Sequence, residues 1–157
     1  MPDWFYVCCK KTEIPSIEKV LQWTAKRNCK LKVVEDRGFK QDLFSCDWQA
    51  VGFIYRENKH PFITEIELDD SSQECLFRQI IEEFLERVKL VNQSDSKTKV
   101  IQHLTQTKCI IVNQIPYSTD EQGYSAVNIV MDYFAQYCDG MIYANKVFYL
   151  GKIIFEV

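Results

Sequence analysis

Seven residues constrain this chain more than any others. Cys109 to Ile115, CIIVNQI, is an apolar run closed by Pro116. Proline has no amide hydrogen to give a ladder, so it ends a strand. A run this short and this apolar predicts a strand at the centre of a sheet. The rest of the chain must supply that strand's neighbours.

It offers several. Trp4–Cys9 is a compact aromatic and β-branched run, and Leu31–Glu35 is a second one. Trp48–Tyr55 and Phe62–Leu68 flank the polar turn residues 56–61 and read as a hairpin. Within the second arm, Phe62, Thr64, Ile66 and Leu68 share one face, while Ile63, Glu65 and Glu67 share the other. That alternation predicts one buried face and one mostly wet face. Met141–Ala144, Val147–Leu150 and Ile153–Val157 are three more short apolar pieces, separated by Asn145-Lys146 and Gly151-Lys152. The last of them is expected to lie inside a sheet.

Helical spacing appears between these runs. Ile17, Val20, Leu21 and Thr24 share a face after Pro15, in a helix expected to end near Asn28. Cys75, Leu76, Ile80, Ile81, Phe84 and Val88 form the longest such pattern, with Ser71 and Glu74 spaced as a capping box before it. Tyr124, Val127, Val130, Met131 and Phe134 form another, with Thr119 and Gln122 as its capping pair and Gly140 as its left-handed end. Val100, Ile101 and Leu104 suggest a short helix. Residues 38–47 read as a loop, and polar Asn92–Lys99 reads as a linker.

The predicted fold is α+β: a mostly antiparallel sheet with helices packed on one side. Both parts of the chain run strand, helix, then strands, so two similar halves are expected, though they do not align residue by residue. We read residues 1–157 as a single domain, with sub-halves 1–91 and 100–157 joined by the polar linker.

Composition narrows function mainly by exclusion. Net charge is −3, from 22 acidic and 19 basic residues. A nucleic-acid binder carries a basic excess to neutralise phosphates, so nucleic acid is not an expected partner. Lys10, Lys11, Lys26, Arg27, Lys30 and Lys32 read as a solvated face. No run approaches the roughly 18 apolar residues that span a bilayer, and Met1–Lys11 lacks the order of a signal peptide, so the expected location is cytoplasmic and no membrane partner is expected. The seven cysteines are scattered without a C-x-x-C pair, and are expected to be reduced and mostly buried.

No motif forces a chemistry. The two histidines, His60 and His103, are far apart, and no metal site or cofactor is expected. The five glycines make no phosphate-binding loop. Glu65, Glu67, Asp69 and Asp70 are the densest carboxylate group. Glu65 and Glu67 would stand about 7 Å apart on one strand face, close enough to share a cation or divide acid and base roles. A wet sheet face, with acidic residues favoured at the start of a helix, is the explanation we prefer. Tyr133, Tyr137, Tyr143 and Tyr149 crowd the last third of the chain, where a partner surface is expected.

The functional expectation is therefore a soluble interaction protein without catalytic activity. It is a homodimer, or binds a protein partner in the manner of an inhibitor or immunity protein, through those tyrosines and Glu65 and Glu67. The alternatives are a small-molecule binding domain and a small enzyme using Glu65, Glu67 and Asp69.

Overall fold

The structure, a computed structural model, describes residues 1–35, 40–72 and 74–157. The loop expected over 38–47 therefore begins outside the described residues. In chain order the elements are β1 (Asp3–Cys9), α1 (Ile17–Ala25), β2 (Lys32–Val33), β3 (Ala50–Ile54), β4 (Phe62–Leu68) and α2 (Leu76–Lys89). They continue with α3 (Asp95–Gln106), β5 (Cys109–Ile115), α4 (Glu121–Tyr137), β6 (Gly140–Ala144), β7 (Val147–Leu150) and β8 (Ile153–Glu156).

The strands form one eight-stranded sheet in the order β2-β3-β4-β5-β1-β6-β7-β8. Its pairings are antiparallel. The α+β class with an antiparallel sheet is thus as the sequence predicts, and β5 lies in the middle as CIIVNQI requires. β1 sits between β5 and β6, so segments 1–91 and 100–157 interleave in the sheet.

The helices divide between the two faces, where the sequence reading placed them on one side. The reason lies in β1 and β5, which are apolar on both parities. Phe5, Val7, Cys109 and Ile111 share a core with α1 and α4. Cys8, Ile110 and Val112 point the other way, into a core with α2 and α3. Both faces of the central strands need cover. The alternation in β4, which suggested a wet face, is a local property of one wing.

The two helical layers are also offset. The α1–α4 core reaches β3 and β4 through Val51, Phe53 and Phe62. The α2–α3 core instead reaches β7 and β8 through Phe148 and Phe155. One sheet face is therefore left open over β3 and β4, and the opposite face over β7 and β8.

Local details correct the expected caps. α2 is preceded by Cys75, with no side-chain cap bond; Ser71 has φ 68° and lies in a turn. Asp120, not Thr119, caps α4, accepting from the Gly123 amide at 3.1 Å. Ser94 caps α3 through the Lys97 amide at 3.1 Å, so the expected linker is half helix. Asp139, not Gly140, takes the left-handed conformation. Gly140 is required for another reason: a Cβ there would lie 2.5 Å from Val7 Cγ1.

Candidate functional site

The open face over β3 and β4 is laid out by register. Trp4 pairs with Gln114, Gln114 with Ile63, and Ile63 with Gly52, so these four form a row across β1, β5, β4 and β3. Gly52 makes room for the next residue outward. A Cβ on it would lie 2.8 Å from Val34 Cγ2, so only glycine lets Val34 settle on the sheet there. Trp4, Ile63 and Val34 all remain exposed, and Tyr117, just beyond β5, is 82% exposed. Pro61, Pro116 and Tyr117 rim a shallow cavity of about 280 Å³ over Ile63 and Gln114. Large apolar side chains in one contiguous exposed patch mark an interaction surface more often than scattered ones do.

Glu65 and Glu67 follow Ile63 on the same face of β4, as the sequence predicts. Glu65 stands opposite Val112, and Glu67 opposite Ile110. Both are half-buried, because the α2–α3 layer begins beside them. Burial, and then the neighbouring Glu65, hold the Glu67 carboxyl above its usual range. A cavity of about 440 Å³ lies where β3 peels away from β4, with Glu65, Glu67, Asp47 and Trp48 among its walls.

Asp69 does not extend this pair as an accessible acid. Its Oδ1 accepts from Arg78 Nε at 2.9 Å and from the Ser71 amide at 2.9 Å. The Arg78 bond, followed by the Ser71 amide, holds its carboxyl below the ordinary range. Asp70 likewise accepts from the Ser72 amide at 2.8 Å. These two carboxylates stabilise the turn into α2. Among the described residues, no group of three or more His, Cys, Asp or Glu is arranged to hold a metal ion.

The four tyrosines fall in three places. Tyr133 stacks on Trp23 at 4.9 Å between ring centres, and Tyr137 lies 5.7 Å from Tyr133, making a half-buried aromatic seam between α1 and α4. Arg27 covers the other side of Trp23 at 3.2 Å. Tyr143 lies inside the α2–α3 core, packed on Phe84 and Phe148, and accepts from Arg87 Nη1 at 2.7 Å. Tyr149 is exposed on the open face of β7. It borders a cavity of about 600 Å³ shared with Tyr124, Asn128, Asp132 and Asn145. In that cavity the Asp132 carboxyl is raised by burial, against the pull of Arg27.

Other polar groups serve the fold. His103 is 2% exposed, and all seven cysteines are free, with Cys46 the exposed one. A further cavity of about 910 Å³ has Lys32, Glu35, Lys40 and Phe44 among its walls. No helix among the described residues is long and apolar enough to cross a membrane.

The sequence reading missed Trp4, Val34 and Tyr117 as surface residues. One signal was present: Ile63 alternates with Phe62 and Thr64, which places it on the wet side with Glu65 and Glu67. The chain matches no family model, no curated protein and no solved structure.

Proposed function

We propose that this chain is a protein-binding module without chemistry of its own, and that its partner docks on the open face of β3, β4 and β5. One observation carries this reading: the row Trp4, Gln114, Ile63 and Gly52 places two exposed apolar side chains, Trp4 and Ile63, on one open face beside exposed Val34 and flanked by Glu65 and Glu67. Tryptophan and tyrosine supply much of the binding energy where they are central to an interface. The adjoining carboxylates favour a partner with an apolar segment and basic groups beside it.

The test compares two surface variants in capture and cross-linking experiments. Trp4→Ser with Ile63→Ser removes the patch. Leu90→Ser removes an apolar side chain that is 89% exposed elsewhere. A partner cross-linked beside Trp4 or Tyr117, lost by the first variant and kept by the second, supports the reading. Partners indifferent to the first variant would overturn it.

A second reading, small-molecule binding, rests on the cavity beside Tyr149 and Asp132. A compound that raises the melting temperature of the original protein, but not of Tyr149→Ala, would favour it.

A further inference from the structure

The sheet has two edges, and they differ. β2 is two residues long and carries Lys32, which pairs with Glu57 at 3.6 Å. Short, charged edges resist pairing with other chains. β8 is twice that length, contains no proline, and presents Ile154 at 68% exposure.

The direction of the β8 backbone groups follows from one bond. The Val157 amide donates to the Lys146 carbonyl at 2.9 Å, toward β7. In an antiparallel ladder, this orientation alternates residue by residue. Phe155 and Ile153 therefore also face β7. The amides and carbonyls of Ile154 and Glu156 face outward from the edge. The side chains of Ile154 and Glu156 project to the face that α1 and α4 leave open, where Tyr149 stands opposite Ile154 on β7.

The sequence along this edge is self-complementary. Ile154 and Glu156 alternate along β8, and Lys152, in the turn that leads into it, continues the same spacing in sequence. Turn a second copy about a two-fold axis at Ile154. Ile154 then meets its own counterpart, and Lys152 of each protomer meets Glu156 of the other. Other registers lose this match: a shift that sets Phe155 against itself puts Glu156 opposite Ile154. We propose that two copies of this chain join edge to edge through β8, antiparallel and centred on Ile154, to continue the sheet across both protomers. A two-fold dimer requires such a self-complementary patch, since the same surface serves both sides. The Ile154 residues exchange backbone hydrogen bonds. Tyr149 and Ile154 of both protomers then form one apolar strip on the open face. This surface lies on the opposite face of the sheet from Trp4 and Ile63, with β6 and β7 between β8 and β1, and the inference stands independently of the partner proposed there.

Sedimentation equilibrium over a wide concentration range tests it. The original chain should move from monomer mass toward twice that mass as concentration rises. Glu156→Lys alone sets lysine against lysine, and Lys152→Glu alone sets glutamate against glutamate. Each should weaken self-association by roughly tenfold or more. Mixing these two single variants restores opposite charges at both contacts, so the mixture should associate more tightly than either alone. Ile154→Pro removes only an outward amide, so it should keep the circular dichroism of the fold and remain monomeric. A monomer at every concentration would overturn the proposal. So would a dimer insensitive to these variants, or a mixture no tighter than its components.

Discussion

His103 Nε2 donates to the carbonyl oxygen of Cys8 across 2.7 Å, tying α3 to the central strand β1. A carbonyl only accepts, so the proton sits on Nε2 in the neutral ring. Nδ1 is buried and has no partner among the described residues. Protonating it would place an unpaired charged donor in the core. Burial therefore pulls the His103 pKa below its ordinary 6.5, and Lys10 adds to that pull, while the Cys8 bond and Asp139 oppose it.

The pH consequence has a definite sign. The folded pKa is depressed, so the unfolded chain binds the proton more readily. The stabilisation is complete above pH 6.5 and is lost as pH falls from 6.5 toward the folded value. Denaturant midpoints should decline over that range. His103→Gln keeps a donor for Cys8 but cannot titrate, so its decline should be smaller; an equal decline would remove His103 as the cause.

Thr64 Oγ1 donates to Asn113 Oδ1 at 2.8 Å, between β4 and β5 in the α1–α4 core. Both residues are fully buried. Thr64→Val strips the acceptor of its donor and should cost about 1–3 kcal/mol in urea unfolding. Adding Asn113→Leu should cost less than the two single changes together predict. Strict additivity would show that the bond contributes nothing by itself.

The Glu67 carboxyl is raised by burial and by Glu65, so the folded state favours its protonated form. This opposes folding increasingly as pH climbs above 4.5. Glu67→Gln should therefore melt at the same temperature as the original or higher at neutral pH, with the difference shrinking in acid. A lower melting temperature at neutral pH would mean the charged form is needed.

Thiol reactivity should separate the cysteines by burial. Cys46 should react first in the native protein, and half-buried Cys29 more slowly. Burial drives the Cys8 thiol up to about 12, which keeps it protonated as well as shielded. Unfolding without reductant should release all seven. A count of five or fewer would reveal a disulfide.

Local patterns made the elements legible. Each strand run and each helical stripe in the sequence corresponds to a strand or helix, because alternation and helical spacing record which side of one element is apolar. The caps were less so. Ser71 and Thr119 have the right chemistry, but turn geometry gives the work to Asp120 at one helix and leaves α2 without a side-chain cap. The first turn of α3 is polar around Lys97 and Thr98, so it resembled a linker. The open face was half legible: Glu65 and Glu67 could be placed beside Ile63, but Trp4 joins them only through Gln114 of β5. Such a row depends on pairing between distant segments, as does the division of helices between two faces.

β5, β1 and β6 carry helices on both sides, and α2 reaches only the end of β4 beyond them. Mechanically, the molecule is a plate braced along a narrow spine, with a flap cantilevered from each margin. Each flap is backed by one helical layer, and on opposite sides, so bending one need not strain the brace behind the other. Opening should start at the margins, while the spine yields last. A protein landing on Ile63 and Val34 and a second copy meeting β8 would thus load separate flaps, while Trp4 and Gln114 anchor the first contact to the spine between them.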